Sequence, residues 1–408
     1  MIQATNGSVP ILHIATRLSG GGTSRLFYSL FKNMDRSRFE LHVLCTHNLG
    51  DPKTIRQFED IGVKIHLLPG ATSDNPQDFT QPDYRSQDGV WNAIVRTLRV
   101  WRFLKRHQFP IVHIHNYSGN AIYAGSAAIL ARCPIVITHD LTSLVEHWKT
   151  IAMWRVVNRF YYQNITQSES GADRRAQSGG NPGKVSILTS GVDTDHFGVA
   201  GAQEREAARR TLGIGAEEFV VLAIGRLTDN KRFDRFIDAA VHFSDRGDVV
   251  FVLGGSGPLE ESLKAQAERS GIGKNVVFAG WIEDPRDLYR AADVLVMCSD
   301  EREGYTLVVV EALAMGIPVI SVDRPTQREM VIEEAGLLVD GDPVAIATAI
   351  GDLLGDRRKL EGLAAGARRT AERRYEISKA AEKLSGIYEK ALSDKGIIYG
   401  STVKRVEA

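Results

Sequence analysis

The chain of 408 residues has only three cysteines, Cys45, Cys133 and Cys298, each alone in an apolar run. Scattered in this way they supply neither a disulfide framework nor metal-ligand spacing, so buried thiols in a reducing compartment are expected. An excess of charge of either sign is also lacking. Fifty Lys and Arg balance fifty Asp and Glu, and nothing in that balance favours nucleic acid or another polyanion as a partner. No run of about eighteen apolar residues occurs, so no membrane span is expected. The opening MIQATNGSVPILHIAT has no basic stretch ahead of a long apolar one and reads as a lead-in to a strand, not a secretory signal. These absences together predict a soluble, cytoplasmic protein. What is present is ordinary globular composition, 43% apolar and 25% charged, in a chain long enough for about two or three domains of roughly 150 residues.

Short β-branched apolar runs alternate with helix-period segments from end to end. The strand candidates of the first half are 9–16, 39–46, 63–68, 111–115, 134–138 and 185–189; those of the second are 218–225, 249–255, 275–280, 293–298, 318–322 and 336–339. Such alternation predicts parallel sheets built from right-handed βαβ units, and runs such as VVFVL fit sheets covered on both faces. So many strands exceed one ordinary sheet, which predicts an α/β protein of two doubly wound domains. We place the first over 1–195 and the second over 196–376, with the helix and polar tail of 377–408 packing back on the first. The segment ATSDNPQDFTQPDYRSQDG (71–89) reads as a long surface loop, of a length that is often functional.

In open α/β sheets ligands lie beyond the carboxyl ends of the strands, so residues just after each strand are the candidates. RLSGGGTSR (17–25) opens a helix with Gly20, Gly21 and Gly22, where the backbone can approach a ligand and free N–H groups suit an anion. It is not a GxGxxG pattern, and a plain strand-to-helix turn explains it nearly as well. His139 follows the run PIVIT, and His113 and His115 alternate along IVHIHN; a structural role is the expectation for His113 and His115. AIGRLTDNKRF (223–233) delivers Arg226 and Lys231 to one strand end, a planar fork and a point charge that together suit a diphosphate. VLGGSGPLEESL (252–263) is a further glycine turn into a helix. EREGYTLVVVEALAMG (301–316) follows the next strand and sets Glu303 just outside a helix and Glu311 within it among valines and leucines. A carboxylate so placed costs several kcal/mol unless it is paired or hydrogen-bonded, roughly as for any unpaired buried charge.

The E-x7-E stretch, with GRLTDNKRF, GGSGPLEESL, GIPVISV and GLLVDGD in that order, resembles the retaining glycosyltransferases of family 4 over almost the whole chain. The resemblance implies the GT-B fold, two Rossmann-like doubly wound parallel-sheet domains facing a central cleft. It implies that Arg226 and Lys231 hold the donor diphosphate and that Glu303 binds hydroxyls of the donor sugar. Backbone N–H groups over Gly304, Tyr305, Thr306 and Leu307 would meet the sugar and distal phosphate. Glu311 would hold the ribose, and the turn at Trp281 and Ile282 would lie against the base. Gly21 and Gly22 would close on the phosphates, and His139 would reach towards the sugar. The implied co-substrate is a nucleotide sugar, UDP-sugar favoured, with no metal or other cofactor and retention of anomeric configuration. Two departures bear on sugar selectivity: Ser190 stands where an asparagine is usual, and DRPTQREM (323–330) replaces a glycine-rich turn, with Glu329 a candidate for the family's acidic position.

Two other activities fit the same architecture, a sugar-nucleotide epimerase and a catalytically inert nucleotide-sugar-binding relative. The helix of 91–107 sets Ile94, Leu98, Trp101 and Leu104 on one stripe and Arg96, Arg99, Arg102 and Arg106 largely elsewhere. It reads first as a sheet-covering amphipathic helix, with peripheral contact to an anionic membrane as the alternative.

Overall fold

The structure is a computed structural model that describes residues 7–69, 90–115, 118–140, 148–282 and 284–398. The surface loop expected at 71–89 lies outside the described residues. The chain divides into two compact units, Met1–Ser190 with Ile377–Ala408, and Gly191–Glu376.

The first unit holds seven parallel strands, β1 (Val9–Ala15), β2 (Phe39–Cys45), β3 (Lys64–Leu67), β4 (Ile111–His115), β5 (Ile135–His139), β6 (Gln163–Thr166) and β7 (Val185–Ile187), in the order β3-β2-β1-β4-β5-β6-β7. The second holds β8 (Phe219–Ile224), β9 (Val249–Gly254), β10 (Val276–Gly280), β11 (Val294–Met297), β12 (Val319–Val322) and β13 (Gly336–Val339), in the order β10-β9-β8-β11-β12-β13. Each sheet runs outward in both directions from a central pair, β1 and β4 in one and β8 and β11 in the other. At such a switch point the crossovers leave on opposite sides and the strand ends open a crevice.

The central strands are apolar on both faces because helices cover both. In the second unit Val221, Ala223, Phe251 and Val296 pack towards the helices Phe233–Ala240 and Pro343–Gly355. Val220, Leu222, Val252 and Leu295 pack towards the helix Leu307–Ala314 on the other side. Asp293, just ahead of β11, ties this sheet to the helix Ala202–Thr211. It accepts from Arg205 at 2.5 Å, from Arg209 at 2.7 Å and from the Val220 N–H at 2.8 Å.

Two features differ from the sequence reading. Strand β6, QNIT, carries no apolar run, yet Asn164 is fully buried. Its amide donates to Asn158 and its carbonyl accepts from Thr138, so hydrogen bonds take the place of apolar packing. The boundary between the units falls after Ser190, not after Asp195. Val192 donates to the Tyr375 carbonyl at 2.7 Å and Thr194 bonds Glu376, which commits 191–195 to the second unit. The helix Ile377–Asp394 belongs to the first unit, where Tyr388 is fully buried.

Candidate functional site

Arg226, Lys231, Glu303 and Glu311 of the second unit follow the two switch-point strands β8 and β11 in the chain, and Trp281 and Ile282 follow β10. After β8 the chain turns at Gly225 and runs along Leu227, where the glycine loop after β9 lies directly against it. A Cβ on Gly255 would sit 1.9 Å from the Gly225 carbonyl oxygen, and one on Gly257 would sit 2.6 Å from that of Leu227. Only glycine permits this approach, and Gly255 also has φ +129°. The two backbones then exchange hydrogen bonds, Leu227 N–H to the Ser256 carbonyl and Leu259 N–H to the Leu227 carbonyl. The segment that carries Arg226 is fixed from beneath in this way.

Lys231 ends a short 3-10 turn, Asp229–Lys231, and its stem lies along Gly225. Its Nζ meets Glu303 Oε1 at 3.0 Å, with the two side chains 14% and 15% exposed. Asn230 Nδ2 donates to the other oxygen, Glu303 Oε2, at 3.0 Å, while the Thr228 hydroxyl donates to Asn230 Oδ1 at 2.8 Å. The two loops are also joined by Arg302, which forks onto Asp300 and reaches Asp229 at 2.8 Å. These bonds, to Asp300 first and Asp229 second, hold the Arg302 guanidinium above its usual pKa. The Asp300 N–H donates to the Asn230 carbonyl at 2.9 Å. Lys231 and Glu303, both named from the sequence, are brought together, while Asn230 and Arg302 were not named from it. Both stood inside the quoted motifs, but nothing local showed that they face each other's loop.

Thr306 caps the helix Leu307–Ala314 in extended geometry, and its own side chain makes no bond to the first-turn N–H groups. Glu311, one turn in, is 3% exposed. The Tyr289 hydroxyl donates to its Oε2 at 2.9 Å. Tyr289 comes from the helix Arg286–Ala291 and lies far enough away in sequence that no motif flagged it. Gly304, Tyr305 and Leu307 are half-buried around the start of the helix, and Ile282 is half-buried after β10.

In the first unit, Gly21 is the N-cap of the helix Gly22–Lys32 in extended geometry, with no side chain of its own to cap it. A Cβ on Gly20 would meet nothing, and one on Gly21 only the Ser19 hydroxyl at 3.7 Å. His139 ends β5 at 2% exposure. It belongs to a buried group with His13, His113 and His115 from neighbouring strands, under Phe27, Phe31 and Tyr388. His13 Nδ1 bonds His115 Nε2 at 2.8 Å, and His113 Nδ1 bonds the Tyr388 hydroxyl at 2.5 Å. Neither ring nitrogen of His139 has a hydrogen-bond partner among the described residues. Burial pushes His13 and His139 down to about 3 and His113 and His115 well below 6.5, so all four rings are neutral. Nitrogens of His13, His113 and His115 lie within 4.8 Å of one another. Asp140, next along, pairs with Arg175, whose guanidinium stacks 4.0 Å from the Trp154 ring. Burial pushes the three thiols up to about 12, which disfavours the thiolate.

Two units, each a parallel sheet covered by helices on both faces, have the architecture of the GT-B fold. The model for glycosyltransferase family 4 matches residues 20–196 and that for group 1 glycosyl transferases matches 204–370; the chain belongs to this glycosyltransferase family. EpsF of Bacillus subtilis (strain 168), designated a glycosyltransferase, is 28% identical over 333 residues, 78% of this chain and 80% of that one. The UDP-Gal:alpha-D-GlcNAc-diphosphoundecaprenol alpha-1,3-galactosyltransferase of Escherichia coli is 23% identical over 334 residues, 78% of this chain and 80% of that one. Among solved structures, HepE of Anabaena in complex with UDP and glucose shares the fold at TM-score 0.78 and 20% identity, over 94% of this chain and 100% of that one.

Proposed function

We propose that the protein is a retaining glycosyltransferase that moves a hexosyl or N-acetylhexosaminyl group from a nucleoside-diphosphate sugar, UDP-sugar favoured, to a hydroxyl of a glycan, glycolipid or small glycoside precursor. The observation that carries this reading is the Lys231–Glu303 pair, which joins the loops that follow β8 and β11. Arg226 and Lys231 hold the diphosphate and stabilise the departing charge. Glu303 accepts hydroxyls of the sugar, the N–H groups of 304–307 meet the sugar and distal phosphate, and Glu311 holds the ribose. Ile282 backs the base. In the first unit Gly21 and Gly22 open a helix suited to an anion, and His139 is the candidate for a polar contact to the sugar. With two cations on the leaving group, the reaction needs no metal. The leaving phosphate takes the acceptor proton as the acceptor attacks the face it vacates, so catalysis is positioning and charge stabilisation. The relatives named for UDP-linked donors or solved with UDP support the choice of nucleotide. Transfer from a UDP-sugar panel in the presence of EDTA, with the product anomer read by NMR, tests the proposal. Inversion, a strict metal requirement, or donor isomerisation without acceptor would overturn it.

The acceptor reading extends to a membrane surface on the cytoplasmic side. No helix of the described residues is long and apolar enough to cross a membrane. On the helix Val90–His107, however, Leu104 is buried while Trp91, Ile94 and Leu98 expose 74%, 45% and 42%. The sheet-facing stripe expected from the sequence is therefore confined to the helix's second half. Its five cations and no acid suit anionic lipid beside that apolar face. Sedimentation with anionic but not neutral vesicles at low salt is the expected result, and equal recovery with both would remove the membrane from the proposal.

A further inference from the structure

We propose that Asn230 is a positioning residue for Glu303 and, through it, sets which donor sugar the site accepts; this rests on the nucleotide-sugar reading above. Glu303 is held at both oxygens, Oε1 on the Lys231 ammonium at 3.0 Å and Oε2 on the Asn230 amide at 3.0 Å. Held twice, the carboxylate cannot rotate, and its remaining lone pairs point in fixed directions.

The two holders differ in how they answer a donor. Lys231 carries a charge and three N–H donors, so an incoming diphosphate competes with Glu303 for it. Asn230 is neutral and its amide is already committed at both ends. Its Oδ1 accepts from the Thr228 hydroxyl at 2.8 Å, which fixes the NH2 end towards Glu303. Its backbone carbonyl accepts from the Asp300 N–H at 2.9 Å, and the Arg302 fork on Asp300 with its bond to Asp229 keeps the two loops in register. When Lys231 turns to phosphate, Asn230 is the contact that keeps Glu303 aimed. Sugar orientation is thereby separated from diphosphate binding. An aspartate at 230 would set two carboxylates face to face and turn Glu303 away.

The test uses the full-length protein and its Asn230→Ala and Asn230→Asp variants. Calorimetry with UDP measures the nucleotide arm, and donor turnover with UDP-glucose and its C4 epimer UDP-galactose measures the sugar arm. A lost bond to a charged group predicts a fall in kcat/KM of about tenfold or more for the preferred donor. The ratio between the two epimers should narrow, and UDP affinity should hold within about twofold. The isosteric Asn230→Asp, which keeps the packing, should lose more than Asn230→Ala. On a Glu303→Gln background, Asn230→Ala should cost little further, since both act through one group. Unchanged turnover and epimer ratio, a parallel loss of UDP affinity, or full additivity with Glu303→Gln would overturn the proposal while leaving the nucleotide-sugar reading intact. Wild-type protein that binds neither UDP nor GDP would overturn both.

Discussion

Tyr289→Phe removes one bond to Glu311. The ring is fully buried and stands edge-on to Phe197 at 6.3 Å, and phenylalanine keeps that packing. What is lost is the hydroxyl's 2.9 Å bond to Glu311 Oε2 and its weaker 3.4 Å approach to the Val308 carbonyl. A hydrogen bond to a charged group contributes about 1.5–3 kcal/mol. For a unit of this size each kcal/mol moves Tm by roughly 2–4 °C, so a fall of about 3–12 °C is expected in the transition of the second unit. The functional consequence separates site from scaffold. If Glu311 holds the ribose, a loosened carboxylate weakens UDP by about tenfold but weakens 2′-deoxy-UDP less, and the discrimination between them shrinks. Calorimetric titration of both nucleotides against both proteins reads this directly. A lowered Tm with UDP affinity and ribose discrimination unchanged would refute the assignment and leave Tyr289 and Glu311 as a purely structural pair.

Other substitutions probe other parts of the account. Gly257→Ala forces a Cβ into the Leu227 backbone at 2.6–2.9 Å, so UDP binding should be lost together with more than about 2 kcal/mol of stability; a fully stable, binding-competent variant would show that the loop contact does not support Arg226. Asp293→Ala leaves Arg209, which is 3% exposed, with backbone carbonyls but no counter-charge, and should cost about 2–4 kcal/mol in urea unfolding; a loss under about 1 kcal/mol would contradict the burial argument. The four buried histidines make the first unit acid-sensitive. His13 and His139 titrate near 3 when folded but near 6.5 when unfolded, so their contribution is whole above pH 6.5 and drains as pH falls towards 3. Each such ring removes about 2 kcal/mol by pH 5, and stability that stays flat between pH 7 and 5 would refute neutral burial.

Much of this arrangement is legible in the sequence because its signals are local. β-branched runs mark twelve of the described strands, and the motifs following β8 and β11 name Arg226, Lys231, Glu303 and Glu311. What escapes is set by tertiary contact. QNIT has no apolar period and becomes β6 because β5 and β7 lie on either side and Asn164 finds two amide and hydroxyl partners. Asn230 and Arg302 act across loops 73 positions apart, and Tyr289 reaches Glu311 from another helix; no spacing rule joins them. His139 is marked by its place at a strand end, but its burial with three other histidines depends on the register of β1, β4 and β5. The exposure of Trp91, Ile94 and Leu98 is likewise invisible to a helical period, which gives the stripe but not what covers it.

The most direct test of the central claim is calorimetric titration of UDP into the wild-type protein, Lys231→Ala and Glu311→Ala, each in EDTA and each checked for folding by circular dichroism. The account predicts saturable one-to-one binding to the wild type without metal, lost in Lys231→Ala and weakened by about tenfold or more in Glu311→Ala. Equal binding by all three folded proteins, or none by the wild type, would contradict it.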